Sequence, residues 1–133
     1  MLRRVSGILM GLVAAGFVVW AIESVGHLFF PFPEGMEPGD PMAIAAHLDA
    51  LPVLALLVMP VAWCLGTLCG VWLAIRLVGG DRIFNAVGVG GLMGLMGVVM
   101  FVQIPTPAWL VLPGLVSFPL GAFVGVRLSG SGE

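Results

Sequence analysis

The residues that could carry out chemistry gather in one short stretch of this 133-residue chain. Five of the seven acidic residues and both histidines lie between positions 23 and 49, and no arginine falls within that stretch. Carboxylates and imidazoles together form a donor set that zinc and other divalent transition metals use. The same groups can relay protons, because histidine titrates near neutral pH. This stretch is therefore the first candidate for a functional site.

The spacing of these residues predicts which of them meet. Glu23 and His27 are four residues apart, so they share one face of a helix. His47 lies on a short segment that we expect to fold back over the end of that helix, with Asp49 beside it. We expect Glu23, His27, His47 and Asp49 to form a ligand or proton site. Glu23, His27 and His47 are also the candidate ligands of a divalent transition metal. A purely structural polar cap is the alternative, since a Glu–His pair at this spacing can simply stabilise a helix end.

The composition of the chain places these residues at a membrane. Hydrophobic residues make up 60% of the sequence, charged residues make up 9%, and the mean hydropathy is +1.17. Soluble domains contain about 25% charged residues, and disordered chains are more polar still. Both classes are therefore excluded, and the first partner of the chain is a lipid bilayer. A net charge of −2 and the absence of lysine argue against nucleic acid as a partner.

Four apolar runs have the length that a bilayer requires, which is about 20 residues for a helix. Asp40 and Pro41 form a typical helix start, with a capping aspartate followed by proline at the first helical position. We therefore predict an all-α, integral membrane four-helix bundle with a short extra helix in the first outer loop. The chain forms a single domain over 1–133, with spans at about 5–30, 52–77, 82–103 and 107–127, an outer loop at 31–51 and the short helix at 41–51.

The arginines predict the orientation of the bundle. If the chain crosses four times, all five lie on one side, and the positive-inside rule makes that side cytoplasmic, together with both termini. A cleaved signal peptide is the alternative interpretation of the first span, with a cleavage site after Val19, Trp20 and Ala21. The first apolar run is longer than the usual 7–15 or so residues of such a peptide. A retained span is therefore favoured.

Glycine is the main packing signal, with 20 copies in the chain. Small residues four apart let helix backbones approach closely in lipid, where no hydrophobic force drives association. Each span carries one such pair, which predicts either a tight bundle or a bundle with a seam for a second copy. The third span has the most glycines, so we expect it to lie at the centre. The pairs are Gly7 and Gly11, Gly66 and Gly70, Gly90 and Gly94, and Gly121 and Gly125.

The second and fourth spans resemble each other. Residues 61–71 align with residues 116–126 at an offset of 55, which pairs Trp63 with Phe118. Pro52 and Pro107, before these segments, fall in register at the same offset. Two parallel-repeated helical hairpins, a symmetry found in some transporters, would explain the match. Convergence of two glycine-rich helices on one pattern would explain it equally well.

The first span ends in a recognisable motif. Glu23, Ser24, Gly26 and His27 form a Glu-Ser-x-Gly-His pattern, which is followed by a glycine-rich second span. In these features the chain resembles a group of small bacterial four-span membrane proteins over its first 75 or so residues. The resemblance implies a bacterial inner-membrane location and no particular activity. It also marks these four residues as candidates for function.

Three functions remain open at this point. The first is a non-enzymatic, oligomeric protein, transporter-like or accessory, with a periplasm-facing polar Glu/His site. The second is a membrane metal-binding protein or metalloenzyme that uses Glu23, His27 and His47. The third is a structural subunit of a larger membrane complex. Enzymatic activity is the less favoured interpretation, because the chain has no nucleophile elbow, no zinc-protease motif and no lysine for a phosphate-binding loop.

Overall fold

The computed structural model describes residues 1–130, so the last three residues of the predicted 1–133 domain lie outside the described residues. Those 130 residues form helices and connecting turns, with no strand. The helices are α1 (Leu2–Phe29), α2 (Pro41–Ala50), α3 (Val53–Leu56), α4 (Val58–Leu73) with a π-helical turn at Ala74–Val78, α5 (Arg82–Gln103) and α6 (Ala108–Gly130).

Four helical segments of the described chain are long and apolar enough to cross a membrane. They are α1, the continuous stretch Val53–Val78, α5 and α6. The predicted all-α membrane bundle is therefore confirmed, and the chain is a multi-pass membrane protein. The predicted short extra helix between the first and second spans is also confirmed, as α2.

Helix α4 occupies the centre of the bundle, packed between α1 and α6. On the α1 side, a Cβ atom placed on Gly66 would lie 2.9 Å from the backbone oxygen of Ala15. A Cβ on Gly70 would collide with the backbone oxygen of Gly11. Only glycine allows the two backbones to come this close. The contact therefore depends on the missing side chains.

The opposite face of α4 packs on α6 in the same way, but with the glycines on the other helix. A Cβ on Gly121 would collide with the backbone oxygen of Cys64, and one on Gly125 would lie 2.8 Å from that of Leu68. Helix α4 thus receives a close neighbour on each side. The expectation that the third span is central was wrong, because α5 is the less buried helix: 22% of its membrane-spanning window is buried, against 39% for the span that contains α4.

The repeated segments of α4 and α6 meet, but their glycines do not make equivalent contacts. The rings of Trp63 and Phe118, which align in the repeat, stack with centroids 5.0 Å apart. Gly66 and Gly70, however, face α1, whereas Gly121 and Gly125 face α4. The same pattern therefore supports two different helix contacts.

The five arginines lie at one end of the bundle, which we call the arginine end. The Nε atom of Arg3 donates a hydrogen bond of 2.8 Å to the backbone oxygen of Val78, and Arg4 lies over the ring of Phe84 at 5.4 Å. These contacts join the start of α1 to the π-helical turn and to the start of α5. The loop of residues 30–40 and α2 lie at the opposite end, which we call the acidic end.

Substitution of the central glycines is expected to separate the helices. Gly70→Ala and Gly121→Ala should each lower the free energy of unfolding by about 1–3 kcal/mol, because the new methyl group meets backbone that cannot move aside. The measurement is denaturant unfolding in mixed micelles.

Gly16→Ala is the matched control, since a Cβ at Gly16 has no atom within 4 Å. It should leave stability unchanged or raise it slightly, because alanine favours helix by about 1 kcal/mol over glycine. Equal effects of the three substitutions would contradict the central position of α4.

Candidate functional site

A cavity of about 210 Å³ lies at the acidic end, where α2 covers the ends of the spans. We call it the cap cavity. Every helix of the described chain contributes to its wall. Its polar members are Glu23, His27 and His47, and the other lining residues are Gly26, Phe30, Phe32, Leu48, Leu51, Ala55, Leu56, Val58, Met59, Met100 and Leu110.

Helix α2 is positioned by its own first turn. The Asp40 carboxylate accepts a hydrogen bond of 3.0 Å from the backbone N–H of Met42, and Pro41 occupies the first helical position. This arrangement satisfies an N–H group that would otherwise lack a partner. Because α2 begins at this point, His47 and Leu48 face the cap cavity while Asp49 is exposed.

On the other side of the cavity, an interruption of the helix separates α3 from α4. Pro60 has no N–H, so it cannot bond to the backbone oxygen of Leu56 four residues earlier. The helix is interrupted at Leu57 as a result. Pro60 itself is buried in the bundle. The short α3 therefore brings Ala55 and Leu56 to the cavity wall.

Glu23 is the half-buried carboxylate of the cap cavity, and its side-chain partner is the indole of Trp63. The indole N–H can only donate and a carboxylate oxygen can accept, so the two groups are chemically matched. Trp63 is itself buried and fixed by two rings, since it stacks on Phe118 and meets the edge of Phe101 at 5.4 Å. The hydrogen-bond donor to Glu23 is therefore held by the core of the bundle.

The two histidines are joined through Phe32 rather than through Glu23. The ring centroid of Phe32 lies 4.6 Å from that of His27 and 5.1 Å from that of His47. His27 and Phe32 are exposed at the rim of the cavity, and His47 is half-buried. The loop after α1 thus inserts an apolar ring where the imidazoles converge.

The structure brings three of the four predicted site residues together. Glu23, His27 and His47 line the same cavity, and Asp49 does not. In residues 1–130, no three side chains of His, Cys, Asp or Glu are grouped so that they could hold a metal ion. The three residues therefore share a cavity without forming a ligand set, because both imidazoles pack against an aromatic ring.

Gly26, from the motif at the end of the first span, has a packing role. A Cβ at this position would lie 3.2 Å from Cγ1 of Val58, at the start of α4. The helix that approaches Gly26 is therefore α4. This close approach places both residues in the wall of the cap cavity.

Sequence reasoning missed the aromatic part of the site. Trp63 was noted only as the partner of Phe118 in the repeat, and Phe30 and Phe32 were not singled out. One signal was available for Trp63, since a buried indole N–H usually requires an acceptor. Glu23 is the one acidic residue of the preceding span, α1.

Comparisons with known proteins add nothing to this geometry. No protein-family model, no curated protein and no solved structure matches the chain. The cap cavity is thus defined by its own residues. It joins one half-buried carboxylate to a mostly apolar and aromatic wall, a combination typical of binding sites for small molecules.

Removal of the α2 cap is expected to loosen the roof of the cavity. Asp40→Ala should lower the stability of α2 by about 1 kcal/mol, and the rate of amide hydrogen exchange within α2 should rise roughly fivefold. Hydrogen exchange followed by mass spectrometry over residues 43–48 measures this effect. The control is Glu34→Ala, which removes an exposed acid of the same loop that caps no helix. Equal exchange in the two variants would contradict the role of Asp40.

Proposed function

We propose that the chain is a non-enzymatic protein of a bacterial inner membrane, transporter-like or accessory, that binds a small ligand in the cap cavity. The observation that carries this proposal is the meeting of Glu23, His27 and His47 in one cavity. These residues come from α1 and α2, which are separated by the loop of residues 30–40. If these three residues served only as a polar surface cap, they would not need to line an enclosed cavity.

The orientation in the proposal follows from charge. Arginines are retained on the cytoplasmic side of inner membranes, and the arginine end contains all five of them. Both termini are then cytoplasmic, and the cap cavity opens toward the periplasm. A ligand would reach it from outside the cell or from the outer leaflet.

The chemistry of the cavity favours binding over catalysis. Glu23 has a neutral donor as its partner, and the imidazoles contact a phenyl ring. A general base or nucleophile needs a second polar group that orients it toward a reacting atom. A carboxylate surrounded by apolar groups instead provides one strong polar contact and a shaped space, which are the requirements of recognition.

Cysteine accessibility in right-side-out membrane vesicles tests the proposal. In a background in which Cys64 and Cys69 are replaced by alanine, Ala55→Cys should react with a membrane-impermeant thiol reagent, because Ala55 lines the cap cavity. The matched control is Leu54→Cys, at the same depth but on the exposed apolar face of α3, where lipid should prevent the reaction.

A third variant fixes the orientation. Gly80 lies between the π-helical turn and α5, at the arginine end. Gly80→Cys should therefore react with the impermeant reagent only in inverted vesicles. If Ala55→Cys failed to react from the outside, or reacted only in inverted vesicles, the outward-facing cavity would be wrong.

A further inference from the structure

No arginine lies within reach of Glu23 in residues 1–130, and the two imidazoles of the cavity pack against Phe32 instead. Arg4 is the nearest arginine before Glu23 in the sequence and Arg76 is the nearest after it, and both belong to the arginine end. Arg4 and Glu23 are on the same helix, about 28 Å apart along its axis at 1.5 Å per residue. In residues 1–130 the side-chain partner of Glu23 is the uncharged indole of Trp63. The carboxylate therefore lies in a mostly apolar cavity in which no arginine of the described chain balances its charge.

An unpaired carboxylate at the edge of a membrane span points to an external partner. Moving a charge out of water is costly unless an opposite charge or hydrogen bonds replace the water. Ionisable residues in spans accordingly mark ligand and ion pathways more often than packing sites. The charge complement that Glu23 lacks is a single positive charge.

The wall of the cavity suits an organic cation better than a metal ion. The rings of Phe30 and Phe32 line it beside Glu23, and aromatic faces attract alkylammonium groups. Two further oxygen or nitrogen ligands would be needed for a metal, and the imidazoles are held against Phe32 instead. A volume of about 210 Å³ exceeds the roughly 150 Å³ that holds benzene in an engineered cavity, so a small ammonium head group fits.

A second space continues the cap cavity along the side of the bundle. This lateral groove has a volume of about 460 Å³ and is lined by apolar residues of α1 and by Val58. It shares Gly26, Phe30 and Val58 with the cap cavity. Phe29 and Val25 on its wall are exposed on the bundle surface, which in a membrane means contact with lipid. The groove therefore leads from the charged site to the acyl chains.

We propose that the cap cavity binds the head group of an amphipathic monocation, with its apolar tail in the lateral groove. Glu23 supplies the opposite charge, Phe30 and Phe32 surround the ammonium group, and the groove accepts an alkyl chain. The inference rests on the proposed ligand-binding function and names its ligand class. Such a cation can be a free alkylammonium or the head group of a choline lipid, and both share this chemistry.

Binding of hexyltrimethylammonium to the purified chain in nonionic detergent tests the proposal, with hexanesulfonate as the anionic counterpart of equal tail length. Isothermal titration calorimetry should show saturable binding of the cation and none of the anion. Glu23→Gln keeps the shape of the side chain and removes its charge, so it should lower the affinity for the cation at least about tenfold. The control is Glu37→Gln, which removes the charge of an exposed acid in the loop of residues 30–40 and should leave cation binding unchanged.

A cavity-filling variant separates this inference from the proposed function. Ala55→Phe should abolish cation binding, since residue 55 lines the cap cavity, and Leu54→Phe should not. Cation binding that Ala55→Phe removes but Glu23→Gln leaves intact would keep the cavity as a binding site and overturn charge recognition. Absence of binding to the native chain, or equal binding of the anion, would also overturn it.

Competition identifies the source of the cation. Diheptanoylphosphatidylcholine should displace hexyltrimethylammonium if a lipid head group occupies the site. Undiminished cation binding in its presence would assign the site to free alkylammonium ions. Displacement that persists in Glu23→Gln would contradict a shared charged site.

Discussion

Close backbone contact across α4 is the interaction on which the rest of the structure depends. Lipid removes the hydrophobic force between helices, so dispersion and fit must hold them together. Glycines provide that fit on both sides of α4, through Gly66 and Gly70 toward α1 and through Gly121 and Gly125 toward α6. With α4 fixed in this way, Trp63 lies where its indole is the side-chain partner of Glu23.

The polar residues follow a separation of charge along the bundle. Arginines hold one end through contacts to backbone oxygen and to aromatic rings, as Arg3 and Arg4 do. Acids and histidines occupy the other end, where α2 covers the ends of the spans and encloses the cap cavity. The proposed ligand is the natural consequence of this separation, because a carboxylate far from every arginine is complementary to a cation that the chain itself does not contain.

Local rules predicted much of this structure, and long-range contacts account for what they missed. Apolar length predicted the four spans, Asp40 and Pro41 predicted α2, and helical spacing placed Glu23 and His27 on one face. The position of Phe32 between His27 of α1 and His47 of α2 could not be predicted from residue spacing, because it depends on how the loop folds. Counting glycines likewise misplaced α5, because the number of small residues does not say what each one meets. Gly88 and Gly97 of α5 face side chains, whereas Gly70 of α4 faces the backbone of α1.

The two halves of the bundle differ in how freely they can change during evolution. Where helices touch at glycine, as at Gly70 or Gly121, almost any replacement meets backbone. The cap cavity is walled instead by large, flexible side chains such as Met59 and Met100, which adapt to a new neighbour. Homologous chains could therefore diverge in ligand preference at the acidic end while inheriting the same scaffold at the arginine end.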